Sequence, residues 1–245
     1  MKHQITILCI YIIFSTSSFS QTAFQLSIGV KQMKIEKKSI DFWYVDESPS
    51  RDNISKHIEL KGSYSIDLGF RFTGRKARIL NWAFEGHGYF GSLGGLDLGL
   101  GTIFTSKNKD KSFRFEPELM LIGGYCQKGI GEIQNNDIYI QVNDIKFKDH
   151  TNVSVKLQNY YFGFKPGLSM SFKLKNGRHL GIRGSYQYSL KSASVGFNGK
   201  DDLDNPKSAS EDLKADNVGF YVDGVTSKTM PFDPDGIEVK LTYGF

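Results

Sequence analysis

Residues 58–72 read IELKGSYSIDLGFRF, and their strict alternation limits the fold more than any other feature of the chain. Ile58, Leu60, Gly62, Tyr64, Ile66, Leu68, Phe70 and Phe72 share one parity; Glu59, Lys61, Ser63, Ser65, Asp67, Gly69 and Arg71 share the other. Successive strand side chains point to opposite faces, so this segment is a strand with one apolar and one charged face. It exceeds an average globular strand and is long enough to cross a bilayer at the tilt that barrel strands adopt.

The pattern recurs at Phe24–Lys31, Leu80–Phe90, Leu96–Phe104, Phe113–Tyr125, Phe162–Lys173, Leu180–Leu190 and Ile237–Phe245. With 58–72 this makes an even set of strands, as single-chain bacterial barrels require. The predicted fold is therefore all-β, an eight-stranded antiparallel up-and-down transmembrane β-barrel. Further β-like runs at 137–142, 153–157 and 218–222 read as extensions above the membrane. An added membrane hairpin, giving ten strands, is the alternative.

The connections alternate in length. Those near 73–78, 106–111 and 175–178 are short, and the last holds Asn176-Gly177, a pair suited to a tight hairpin turn. Those at 35–57, 127–159 and 191–235 are long and polar, leaving 91–95 as the one short link on their side. Short turns on one side and long loops outside are the usual asymmetry of outer-membrane barrels.

Composition decides between this and a soluble barrel. The chain is 39% hydrophobic with a mean hydropathy of −0.33, values of an ordinary soluble domain. A lipocalin-like barrel would turn the apolar faces inward around a ligand. Here the polar faces are rich in glycine and small residues, which suits a crowded interior, and aromatics gather near strand ends, as interfacial girdles do.

The first residues form a leader. Lys2 and His3 precede the apolar run Ile5–Phe14, and small residues follow to Ser20, the three-part pattern of a secretory signal peptide. Cleavage after Ser20 divides the chain into a leader, 1–20, and one barrel domain, 21–245. The run is too short for a spanning helix. Cleavage leaves Cys126 as the single cysteine, which excludes a disulfide scaffold. The net charge of +5 falls to +4 without Lys2 and is interspersed with acids, so nucleic acid is not an expected partner.

The chain ends on Tyr243-Gly244-Phe245, with apolar residues at every second position back to Ile237. This resembles the C-terminal signal of outer-membrane barrels that the assembly machinery reads. Residues 21–245 as a whole resemble the small outer-membrane β-barrel family, the class of the OmpA-type transmembrane domain. The Ser18-Phe19-Ser20-Gln21 region and the chain length look like those of the PorT-like barrels of Bacteroidota. The resemblance implies the outer membrane of a Gram-negative bacterium, with lipid and the barrel assembly machinery as partners, and Tyr243 and Phe245 as the assembly signal. It supplies no functional residue beyond these.

The inward parity carries Glu59, Asp67, Glu85, Asp97, Glu116, Glu118 and Glu238 against Lys31, Lys61, Arg71, Arg114, Lys165, Lys173, Arg183 and Lys240. An eight-stranded barrel has an interior that side chains just fill, and buried charges must be paired. This near-neutral set predicts a salt-bridged plug, with a narrow ion path as the alternative. His150 and Ser154 share a loop and His87 faces the lumen, but none sits in a recognised motif of outer-membrane lipases, lipid A-modifying enzymes or proteases. Asp201-Asp202-Leu203-Asp204-Asn205 and Asp233-Pro234-Asp235-Gly236 offer oxygen ligands but no complete EF-hand loop. The expectation is a non-enzymatic envelope protein with no metal or cofactor, displaying its long loops to an envelope partner. A small channel is the second reading and an outer-membrane enzyme the third.

Overall fold

The computed structural model describes residues 22–35, 39–46, 53–60, 62, 64–75, 80–105, 112–134, 140–148, 151–222 and 224–245. The expected leader, its expected cleavage point and the turn expected at 106–111 lie outside the described residues.

Eight long strands form the barrel: β1 (Thr22–Gln32), β2 (Tyr64–Arg75), β3 (Leu80–Gly91), β4 (Gly94–Phe104), β5 (Phe113–Gln134), β6 (Asn152–Lys173), β7 (His179–Lys200) and β8 (Gly236–Gly244). Each pairs antiparallel with its neighbours in sequence. Ile28 of β1 faces Leu68 of β2 on one side and Leu241 of β8 on the other, so the ring closes where chain start meets chain end. A closed ring leaves no edge for aggregation. The run at 218–222 pairs with Ser39–Val45, and Ile140–Val142 forms a hairpin with Ile145–Phe147, so neither joins the ring.

The surface of the ring is inverted relative to a soluble protein. Outward Ile28 is 54% exposed, Leu121 51% and Leu241 56%, whereas inward Asp67, Glu85 and Lys165 are fully buried. Exposed large apolar side chains line every barrel strand. A continuous apolar belt of this extent is stable only against lipid; the barrel spans a membrane. Rings mark the borders of the belt. Tyr125 packs against Tyr160 with ring centres 4.9 Å apart and Tyr186 against Tyr188 at 4.5 Å, both pairs tilted, toward the loop end. Phe24, Phe72 and Phe245 cluster at the turn end, with Phe113 and Phe172 beside each other.

β5, β6 and β7 each run for 22 residues. That is roughly 70 Å of extended chain, about twice what a bilayer crossing takes. Their polarity reverses midway. On β6 the outward side chains Phe172, Met170, Phe164 and Phe162 give way past Tyr160 to Gln158, Lys156 and Ser154. The inward parity changes the other way, from Ser169, Gly167 and Lys165 to Leu157, Val155 and Val153. β7 repeats the exchange, from Arg183 and Ser185 to buried Val195 and Phe197. The reversal marks where lipid ends and water begins.

Above that level the strands support a dome. Val225–Ser227, Val218–Val222, Ser39–Val45 and Asn53–Glu59 form a four-stranded sheet in that order. Its inner face, with Ile40, Phe42, Tyr44, Ile58, Val218 and Phe220, joins Val155, Leu157, Val195 and Phe197 in one hydrophobic core. Tyr44 packs against Phe197 at a tilt, with ring centres 4.8 Å apart. Pro206–Asp212 pairs with the part of β7 that rises above β8, for instance Phe197 with Ala209.

One strand expectation is corrected. The alternation of 58–72 continues by parity, but Gly62 turns the chain at φ +77° and divides the segment. Ile58 and Leu60 are buried in the dome, whereas Tyr64 and Ile66 face outward. The same apolar parity therefore meets protein above the break and lipid below it.

Candidate functional site

The lumen is filled by side chains that converge on Glu85. Its Oε2 lies 2.8 Å from Arg71 and 2.7 Å from Arg183, and its Oε1 lies 2.8 Å from Lys165 Nζ and 3.2 Å from His87 Nε2. Glu118 receives the other end of the Arg71 fork at 2.7 Å and also pairs with Arg183 Nε. Glu238 holds Lys240 at 2.8 Å, Lys31 at 3.3 Å and Lys165 at 3.4 Å. Asp67 holds Lys240 at 2.9 Å and His87 at 3.2 Å, while Asp97 lies 3.9 Å from Lys31. Asp67, Glu85, Asp97, Glu118 and Glu238 thus balance Lys31, Arg71, Lys165, Arg183 and Lys240, all of them buried. Arg71 grips Glu118 bidentately, the geometry that matches a planar guanidinium to a carboxylate, whereas Arg183 bridges Glu85 and Glu118 with one nitrogen to each.

Register explains how long side chains fit a narrow bore. Lys240 faces Gly29, His87 faces Gly69, Glu85 faces Gly99, Asp97 faces Gly124 and Glu118 faces Gly167 across the sheet. A Cβ added at Gly69 would sit 2.1 Å from His87 Nδ1, and one at Gly124 would sit 2.5 Å from the Tyr161 ring. The glycines of the inward face are the holes into which the charged side chains fold.

The bore is closed toward the dome. Lys31 Nζ donates to Gln187 Oε1 at 2.5 Å and to Tyr89 Oη at 3.2 Å, and stands 4.3 Å from the Tyr89 ring centre. Tyr89 and Tyr161 hydroxyls meet at 3.4 Å. Buried Cys126, Asn159, Met33 and Phe232 lie beyond them. The sequence parity set Tyr89 and Gln187 inward with the charges; it missed Tyr161 and the inward Met120 and Ile122, which share the core cluster. For the last two, parity within β5 was the available signal.

Several expected lumen residues stand elsewhere. Glu59 is exposed on the dome strand Asn53–Glu59, because the chain has already left the barrel there. Lys61 lies outside the described residues. Arg114 and Glu116 keep the inward parity but are half-buried near the turn end, where Thr105 Oγ1 donates to Glu116 at 3.1 Å. Lys173 is exposed at the last position of β6. Tyr243 and Phe245 pack edge to face at 5.0 Å, and Phe245 N donates to Phe24 O at 2.9 Å. The terminal residue is therefore built into the seam that closes the ring.

The two acidic clusters have internal uses. Asp201 accepts backbone N–H bonds from Asn205 and Leu203, both at 2.9 Å, and these hold its carboxyl below the usual carboxylate range. Asp233 and Asp235 hold Lys191 at 2.5 and 2.9 Å. Ser154 donates to Asn198 O at 3.4 Å, and His150 lies outside the described residues.

No family model matches the sequence, and no curated protein matches it. Among solved structures the chain is similar to the outer membrane protease OmpT from Escherichia coli. The identity is 8%, the TM-score is 0.37, and 91% of this chain and 94% of that chain are covered. So loose a likeness carries no argument, and the assignment rests on the strand pairing and the exposed belt: the chain is an all-β, membrane-spanning barrel of eight antiparallel strands.

Proposed function

We propose that this is an integral protein of a Gram-negative outer membrane whose barrel is a closed, non-conducting and non-catalytic anchor. Its dome is then the working surface, held rigidly on the outside and offered to an envelope partner. The observation that carries the reading is Glu85, fully buried and contacted by Arg71, Arg183, Lys165 and His87 in the middle of the bore. An ion crossing there would have to break several buried pairs, each costly to open. The leader and the Phe245 terminus support export and assembly into the outer membrane. The eight-strand count fits the OmpA-type size class, and the PorT-like kinship rests on leader and length. Planar-bilayer recording on the purified protein tests the reading. The wild type should pass little current, and large, stable openings would replace the anchor with a channel.

A further inference from the structure

The first strand pair of the dome assembles three residues that lie too far apart in sequence to form a motif. Ser39 and Asp41 are two positions apart on Ser39–Val45 and so share a face. His57, on Asn53–Glu59, is the direct cross-strand partner of Asp41. Its imidazole bridges the other two: Nε2 lies 3.1 Å from Ser39 Oγ and Nδ1 lies 2.7 Å from Asp41 Oδ1. Ile40, Phe42 and Ile58, on the opposite face of the same strands, are buried in the dome core, so the frame beneath the three is fixed. On the other side of Asp41 the register places Tyr221, which packs on Trp43 with ring centres 5.9 Å apart. Lys228 Nζ stands 4.8 Å over the Trp43 ring. Trp43 is buried beneath Tyr221 and Lys228, so among the described residues the exposed ring that adjoins the Ser–His–Asp row is that of Tyr221.

We propose that Ser39, His57 and Asp41 form a hydrolytic triad that cleaves acyl esters, with the apolar part of the substrate resting against the exposed ring of Tyr221. His57 Nε2 takes the Ser39 proton as Oγ attacks the ester carbonyl carbon. The tetrahedral adduct collapses, the bond to the alkoxy oxygen breaks, and the alcohol leaves with the proton from His57. Water then attacks the acyl-serine, giving one proton to His57. The carboxylic acid departs and the proton returns to Ser39. Asp41 positions the imidazole and balances its transient charge. The His57 and Asp41 side chains are 61% and 54% exposed, so solvent screens that balance. This suits activated esters, whose leaving groups need little help, and not amides.

The test uses the full mature chain, folded in detergent and checked by heat-modifiable migration. A fluorophosphonate probe should attach to Ser39, located by peptide mass spectrometry, and p-nitrophenyl butyrate should be hydrolysed. Ser39→Ala should abolish the adduct and His57→Ala should slow both reactions at least tenfold. Asp41→Asn should slow them less, and Ser55→Ala, on the same exposed face, should match the wild type. Labelling at another residue, or wild-type hydrolysis no faster than that of Ser39→Ala, overturns the proposal. Neither result bears on conductance, so the anchor reading stands or falls separately.

Discussion

At the scale of single residues, the lumen is a set of matched pairs of long charge and glycine, and the two halves fail differently. Arg183 neutralises both Glu85 and Glu118. Arg183→Leu should cost about 3–5 kcal/mol, because two buried carboxylates lose a shared partner. Arg114→Leu should cost much less, since Arg114 is half-buried near the turn end. Gly69→Ala should cost about 1–3 kcal/mol by overpacking against the His87 ring. Urea unfolding followed by heat-modifiable gel migration ranks the three; equal loss in Arg114→Leu and Arg183→Leu would refute a network centred on Glu85. The parity of Glu85 and Glu118 was readable from sequence, and so was the need for pairing. Which cation meets which acid was not, because partners such as Lys165 and Glu85 come from strands far apart in the ring. Glu59 shows the limit of parity. It shares a run with Asp67, yet the turn at Gly62 puts it on another sheet.

Strands set the next scale, where one face must meet lipid. Leu68→Arg on β2 should destabilise the barrel by roughly 2–4 kcal/mol near the bilayer midplane. Asp67→Leu, one position away, should also destabilise it, by taking from Lys240 and His87 one of the two carboxylates that hold each. A one-residue slip exchanges the two faces, so tolerance of both changes would refute the register. Phe245→Asp should lower the outer-membrane level of folded protein by placing charge in the closing seam beside Phe24 and Tyr243; normal levels by immunoblot would remove its assembly role. Topology is read by accessibility. On a Cys126→Ala background, a cysteine within 201–205 should label from outside intact cells and one within 175–178 should not. The reverse pattern would invert the dome to the periplasm.

The whole molecule is a barrel and a dome that share three strands. A single core cluster extends from Ile103 and Met120 in the bore through Cys126 to Phe197, Phe220 and Val218 in the dome. β3 and β4 meet near the membrane surface at Gly91–Gly94, and β5, β6 and β7 rise past that level into the dome. Phe197→Ala should cost about 3–5 kcal/mol of packing, released where the Tyr44 contact is lost and not in the belt. Limited proteolysis should then cut the 201–235 region faster while heat-modifiable migration persists. Loss of both together would mean that dome and barrel unfold as one unit.

Sequence by itself determined the strand number, the inward and outward parity of each membrane segment and the alternation of short and long connections. These are local properties, written within about ten residues, because a strand's two faces are fixed by its own period. Tertiary structure alone decided what each face meets. The same parity of β6 covers ions at Lys165 and apolar core at Val155, and only the height along the ring distinguishes them. It also decided that the long polar loops fold into a sheet, and that Ser39, Asp41 and His57 share one hydrogen-bonded row. Those groupings depend on pairings between distant segments, whose free energy belongs to the closed ring and the packed dome and leaves no periodic trace in the chain.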